Sequence, residues 1–318
     1  MKPLISIVTP VYNSFHLMER YFDTLEKQGT SNFEVIIVDD CSNDESYKCL
    51  KKKIKDLSFV CHLYKTKENV GPGFARNLGV SKCCGKYITF VDSDDYIADN
   101  FVEKICEVIE SRDVDSLVFD YYKRNENNVT ARNTILGLDE GNLNIEDAVA
   151  LSSGSTWCKV YKIDILKRNN VYFPDLMRGE DLAFNKVALS KCKNIFYLKD
   201  YLYYYCENKK SIMHDFNTLN ISDNKGAFKY IEDNLKMEDA LEMIFVREYL
   251  YLITQIMILK KYRNNDIKKF INECFEKFPN WYIHKYIKNQ PKYLQVMLVC
   301  IKHRILFPLR LIFKLKSR

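Results

Sequence analysis

Three carboxylates, Asp92, Asp94 and Asp95, end an apolar run of β type that begins at Tyr87, with Ser93 between the first two. A buried strand does not tolerate unpaired acids. The cluster therefore belongs in a crevice, where a hard divalent cation or a hydroxyl-rich ligand compensates it. Other polar groups follow apolar runs elsewhere. Leu4 to Thr9 stops at Pro10-Val11-Tyr12-Asn13, and Glu34 to Val38 stops at Asp39-Asp40-Cys41-Ser42. A glycine turn, Asn69-Val70-Gly71-Pro72-Gly73, leads to Arg76, and an acid pair, Glu180-Asp181, opens a stretch of helical character to Leu189.

The elements that must position these groups are short runs rich in Ile and Val, each followed by a helix-like stretch, from Phe15 to Lys27 and from Asp44 to Lys55. A third run, Phe59 to Tyr64, precedes the glycine turn. Strands alternating with helices predict an α/β fold, a mostly parallel sheet flanked by helices. In such sheets ligands sit outside the C-terminal ends of the strands, where Thr9–Asn13, Asp39–Ser42 and Asp92–Asp95 would gather.

At 318 residues, 47% hydrophobic and 14% aromatic, the chain can bury a substantial core. Its eleven cysteines include no CxxC pair, and no secretory signal is evident, so reduced thiols in a cytoplasmic protein are expected. Cys83-Cys84 reads as small apolar residues at a helix end. Of the 48 basic residues, nine lie between Lys285 and Arg318 with no acid among them, leaving 39 against 42 acids elsewhere. That distribution argues against a nucleic-acid partner for the first part and marks the tail as a surface for something anionic. No run approaches the ~18 apolar residues of a membrane span. The tail instead alternates Val296–Ile301 and Ile305–Phe307 with Lys302, His303, Arg304, Arg310, Lys314 and Lys316. Two readings fit: an interfacial helix on an anionic membrane surface, kinked at Pro308, or a basic helix packed on the protein with its charges reaching water.

The segments Thr9–Asn13, Val38–Asp44, Asn69–Asn77, Phe90–Asp95 and Gly179–Phe184 together resemble family 2 glycosyltransferases of the GT-A fold, the bacterial enzymes that build capsule, lipopolysaccharide and wall polymers. Five motifs in family order cover about the first 215 residues. The resemblance implies a GT-A catalytic domain over 1–215, with a nucleotide-sugar half (1–120) and an acceptor half (121–215), followed by a helical region (216–318) ending in the basic amphipathic tail. It implies a UDP-sugar donor, an inverting transfer of a hexose or N-acetylhexosamine to a hydroxyl of a saccharide or lipid-linked acceptor, and Mn²⁺ or Mg²⁺ as cofactor.

By the same resemblance Asp94 ligates the metal, Asp92 with Ser93 meets the ribose or shares the metal's field, and Asp95 is a supporting acid or a helix cap. Asp40 accepts from the uracil N3–H while Pro10 to Tyr12 flank base and ribose. Arg76 suits the pyrophosphate or the base, because its fork donates to planar oxygen pairs, or else it pairs with a sheet-end aspartate. Asp181 is the general base, with Glu180 beside it on the acceptor side. Trp157, in Trp157-Cys158-Lys159-Val160-Tyr161, stacks on a sugar or belongs to the core. Ser211 and His214 resemble a segment that closes over the diphosphate, although Cys206 stands where family members often have arginine. A nucleotidyltransferase shares the acid pair and nucleotide pocket but has no need of Glu180-Asp181. A catalytically silent module that recruits partners to the membrane would not need Asp94 and Asp181 intact. Beyond about Asn217, Met237–Lys260 and Asp266–Phe278 have helical spacing and are expected to pack on the catalytic domain.

Overall fold

The computed structural model describes residues 2–207 and 220–316. Its strands are β1 (Ile5–Val11), β2 (Phe33–Asp39), β3 (Val60–Lys65), β4 (Tyr87–Phe90), β5 (Tyr96–Ile97), β6 (Ser116–Arg124), β7 (Val129–Arg132), β8 (Gly141–Leu143), β9 (Lys159–Lys162) and β10 (Ile195–Cys206). They form one sheet in the order β3-β2-β1-β4-β9-β6-β10-β5, with β7 beside β6 and β8 beside β10. The first four strands of that order are parallel. Beyond them the sheet is mixed: β9 lies antiparallel to both β4 and β6, β10 runs parallel to β6, and β5 closes the edge antiparallel to β10.

The helices are α1 (Glu19–Glu26), α2 (Ser46–Lys53), α3 (Pro72–Lys82), α4 (Phe101–Ser111), α5 (Ile145–Leu151), α6 (Ile163–Arg168), α7 (Glu180–Ser190), α8 (Ile221–Asn234), α9 (Glu238–Ile244), α10 (Leu252–Leu259), α11 (Asn264–Lys277), α12 (Lys292–Lys302) and α13 (Leu306–Lys316). The stretch expected from Phe15 divides into a 3-10 turn, Phe15–Leu17, and α1. The stretch expected from Met237 forms α9 and α10, joined by a π-helical segment, Phe245–Tyr251.

Strand alternation divides the core between the two faces of the sheet. Ile5 and Ile7 of β1 and Val35 and Ile37 of β2 pack with Tyr21, Phe22 and Leu25 of α1 and Phe101, Val102 and Ile105 of α4. Val8, Ile36, Val38, Ile88 and Phe90 point the other way, into a cluster shared with Ala183, Phe184 and Val187 of α7. That same cluster continues through Phe228, Ile231, Met243, Phe245, Trp281, Met297 and Phe313, so the C-terminal helices share the sheet's own core. Each such side chain contributes roughly 1.5–3 kcal/mol when fully buried.

Among the described residues no helix is long and apolar enough to cross a membrane. The tail forms two helices, and its break differs from the expected kink at Pro308. The chain turns at Arg304, whose φ is 55°, while Pro308 lies in the first turn of α13, where a missing N–H leaves no intrahelical bond unmade.

Candidate functional site

Because β2, β1 and β4 are parallel neighbours, with Val11 opposite Asp39 and Val8 opposite Phe90, their C-terminal ends deliver Pro10–Asn13, Asp39–Ser42 and Val91–Asp95 to one edge. The N-termini of α3 and α7 meet there too. Gly73 makes that meeting possible: a Cβ on it would stand 3.0 Å from Glu180 Cγ and 3.2 Å from Phe173 Cβ. Gly71, at φ 85°, supplies the turn before α3.

The centre of the site is Arg76, whose side chain is 5% exposed. Its Nη2 donates to Asp92 Oδ1 at 2.7 Å and its Nη1 to Asp181 Oδ1 at 2.8 Å, with Glu180 Oε1 3.5 Å away. The face of the guanidinium lies 5.4 Å from the Phe173 ring centre. Burial works to lower the Arg76 pKa, but Asp181, Asp92 and Glu180 outweigh it and raise it. Of the two expectations for Arg76, pairing with a sheet-end aspartate is the one seen, and it extends to the acid pair of α7.

Burial pushes the Asp181 carboxyl up to about 7, against the downward pull of Arg76 and with help from the like charges of Glu180 and Asp92. Glu180 is likewise raised by burial. Burial followed by the Asp92 charge pushes Asp94 up to about 6. Asp95 has a different environment. Its Oδ2 accepts from the Tyr203 hydroxyl at 2.6 Å and its Oδ1 from the Cys206 N–H at 2.7 Å, while the same hydroxyl accepts from the Asp92 N–H at 3.2 Å. Asp95 thus ties the acid turn to β10; it does not cap a helix.

The remaining loops are ordered by side chains. Asp40 Oδ1 accepts from Val70 N–H (3.1 Å) and Thr66 Oγ1 (2.9 Å), and its Oδ2 from Gly71 N–H (2.8 Å), so this acid holds the glycine turn in place. Asn13, in the left-handed region at φ 52°, accepts from the N–H groups of Asn43 and Asp44 through Oδ1. The Ser93 and Ser14 hydroxyls lie 2.7 Å apart. Pro10 is buried and Tyr12 is exposed beside them. Trp157 is buried, stacked on Tyr203 at 4.6 Å and Tyr205 at 5.6 Å and met edge-on by Tyr121. Next to it Lys159 donates to the carbonyls of Ser153 (3.1 Å) and Ser155 (2.6 Å), and burial lowers its pKa. Ser211 and His214 lie outside the described residues.

A glycosyl transferase family 2 model matches residues 6–169, which span the sheet ends and the acid turn just described. The chain belongs to that family. This glycosyltransferase-family chain is 30% identical over 222 residues to glycosyltransferase GlyA of Streptococcus pneumoniae, covering 65% of the chain and 31% of the relative. It is 29% identical over 208 residues to the poly(ribitol-phosphate) beta-N-acetylglucosaminyltransferase TarS of Staphylococcus aureus, covering 64% of the chain and 36% of the relative. The chain therefore spans about a third of the length of these two curated relatives. Its fold is similar to that of S. aureus TarS residues 1–349 in complex with UDP-GlcNAc, with a TM-score of 0.71 at 22% identity, covering 99% of the chain and 91% of that structure. The mannosyltransferase PcManGT of Pyrobaculum calidifontis, in complex with GDP-Man and Mn²⁺, is similar with a TM-score of 0.60 at 14% identity, covering all of the chain and 84% of that structure.

Tyr203 is the site residue that sequence reasoning passed over; it lay inside a run of tyrosines whose alternation alone does not tell which one reaches the acids. Removing Arg76 would leave three carboxylates facing one another. Arg76→Gln is expected to lower the unfolding free energy in urea by roughly 3–5 kcal/mol, the usual cost of deleting one partner of a buried pair. A loss under about 1 kcal/mol would show that solvent, not the guanidinium, keeps those acids apart.

Proposed function

We propose that the chain is an inverting, metal-dependent transferase that moves a sugar from a UDP-sugar to a hydroxyl of a saccharide or lipid-linked acceptor in cell-surface polymer synthesis. The observation that carries this reading is Asp181: an acid at the N-terminus of α7, bonded to Arg76 and held near neutrality, at the same strand ends as Asp92 and Asp94. A general base works best with a pKa near the operating pH. Asp181 takes the proton of the acceptor hydroxyl, which attacks the anomeric carbon from the face opposite the departing UDP. One displacement inverts the configuration. Glu180 keeps the local field negative on the acceptor side, and Trp157, stacked as it is, supports the acceptor wall. On the donor side Asp40 offers its remaining acceptor capacity to the uracil N3–H, with Pro10 and Tyr12 flanking the base and Asp92 and Ser93 at the ribose. Arg76 acts on the donor through Asp92. The S. aureus relative, named a poly(ribitol-phosphate) beta-N-acetylglucosaminyltransferase, and its structure in complex with UDP-GlcNAc support the choice of a UDP-sugar.

The residues fit a hard divalent cation. Asp92, Glu180 and Asp181 share a single guanidinium, Asp94 lies close enough to Asp92 to be raised by its charge, and burial raises both Asp94 and Asp181, a surplus of negative charge that a cation would offset. Among the described residues no three ligating side chains cluster, as suits an ion that takes one or two carboxylates and completes its shell with phosphate and water. Asp94 would hold Mn²⁺ or Mg²⁺, which supplies charge neutralisation to the leaving diphosphate.

The tail supports a peripheral position on the inner face of the cell membrane. Leu294, Met297, Leu298, Leu309 and Phe313 face the core, while Tyr293, Val296, Val299, Phe307 and Leu311 are exposed on α12 and α13. Two of the tail's bases are tethered beside this face: Arg304 donates to Asn272 Oδ1 and Arg310 to Asn264 Oδ1, each at 2.8 Å from Nη2. An apolar outer face rimmed by cations suits an anionic bilayer that presents a lipid-linked acceptor.

Asp181→Asn should lower kcat on the order of 10²- to 10⁴-fold while UDP affinity in calorimetry stays within about twofold. In the parent protein kcat/KM should fall about tenfold per pH unit below about 7, because the base must be ionised. Near-parental turnover in the variant would overturn the assignment.

UDP affinity should rise with Mn²⁺ or Mg²⁺, and Asp94→Ala should remove that rise without changing the melting temperature by more than a few degrees. Equal UDP affinity with and without metal in the parent protein counts against a metal at Asp94.

For the tail, truncation is a poor test because its inner face belongs to the core. Phe307→Glu with Leu311→Glu alters only exposed positions and should release the protein from anionic vesicles, as should high salt. Co-sedimentation equal to that of the parent protein assigns the tail to packing alone.

A further inference from the structure

The alternation of β10 that turns Tyr203 and Tyr205 to Trp157 turns Tyr204 to the opposite face of the sheet. There Tyr204 lies in register with Tyr122 of β6 on one side and Tyr96 of β5 on the other. The rings stack across the three strands, Tyr204 on Tyr96 at 4.5 Å and on Tyr122 at 5.1 Å.

Two arginines converge on Tyr96. Arg124, at the end of β6, donates from Nη1 to the Tyr96 hydroxyl at 2.6 Å, and its guanidinium carbon is 5.8 Å from the ring centre. Arg20, exposed on α1, stands at the same 5.8 Å from the same centre. Among the described residues neither guanidinium is ion-paired with a carboxylate. The acids nearby are otherwise engaged. Asp95 gives both oxygens to Tyr203 and Cys206, and Asp99 pairs loosely with Lys27 at 3.9 Å.

The pair stands close to the acid turn. Arg124 is in register with Cys206, whose N–H holds Asp95. Burial, Asp95 and Asp94 raise the Cys206 thiol to about 12, while Arg124 and Arg20 pull it down, so all four side chains lie near Cys206, the last residue of β10. Arg20 and Arg124 each stand 5.8 Å from the centre of one tyrosine ring, where an anion would join two like charges, and a guanidinium fork is the side-chain geometry that matches phosphate oxygens. Tyr96 limits the rotamers both side chains lose on binding, which lowers the ordering cost.

We propose that Arg20 and Arg124 form a phosphate-binding pair beside the acid turn, taking a phosphate carried by a substrate. That group belongs either to the diphosphate of the donor or to a phosphate-bearing acceptor; only the naming of these two sources rests on the glycosyl-transfer reading.

The test is calorimetry on the full chain with Mn²⁺ present, using Arg20→Gln, Arg124→Gln and the double variant. The probes are UDP against uridine and ribitol 5-phosphate against ribitol. In the double variant the affinity for one phosphorylated probe should fall about tenfold, with its phosphate-free counterpart unchanged. A fall with UDP assigns the pair to the donor diphosphate, and a fall with ribitol 5-phosphate assigns it to the acceptor. A change below threefold for both overturns the pair. Arg20→Gln alone, at an exposed helix position, carries the test with a threefold threshold if the double variant melts early. A parent protein that binds UDP while the variants bind both probes unchanged sinks the arginine pair alone; a parent that does not bind UDP sinks the transfer reading.

Discussion

Arg76 sits where two motifs separated by about a hundred residues must agree on geometry. Its guanidinium is nearly without solvent, and each of its two bonded carboxylates is at a distance where opposite charges attract by roughly 4 kcal/mol at an effective dielectric constant near 20. The fork is planar, so fixing Nη2 on Asp92 also fixes the direction in which Nη1 meets Asp181. An acid of the turn after β4 and an acid at the start of α7 are thereby held in one frame. The cost is local: Arg76 Nε is buried without a partner, an unmade bond tolerated beside two charged ones.

The sheet sets up that frame by its change of direction. Four parallel strands bring their C-terminal loops to one edge, and the antiparallel β9 then lets β6 and β10 run past the same edge. Asp95 is the joint between the acid turn and β10. It belongs to the acid turn by sequence and to β10 by its hydrogen bonds, so the acid turn and the β10 wall are positioned against one another by a neutral tyrosine and a backbone N–H.

Much of this was legible from residue order. The runs before Pro10, Asp39 and Asp92 read as strands because they are short and dominated by Ile, Val and other apolar residues, and the acids after them had to lie at the strand ends. The helix after Gly179 was equally plain. What stayed hidden depends on long-range pairing. Lys159–Lys162 is four residues long with two lysines, and only its neighbours make it a central strand. Asp40 reads as a ligand for the base, yet its oxygens hold Val70 and Gly71, a role invisible until the loops are placed together. Arg76 offered two partners on chemical grounds, and its ion pairs with Glu180 and Asp181 across the fold could not be read from residue order alone.

The cluster that runs unbroken from Val8 and Phe90 through Phe228 and Trp281 to Phe313 has a consequence for how the molecule holds together. A region with its own core can come loose while its neighbour stays folded; one that borrows the neighbour's core cannot. Heat or denaturant should therefore dissolve the sheet and the C-terminal helices in a single cooperative event, and a disturbance of the outer helices is felt as strain on the inner wall behind the strand ends. Whatever surface α12 and α13 rest upon, the machinery at the far side of that shared interior is mechanically joined to it.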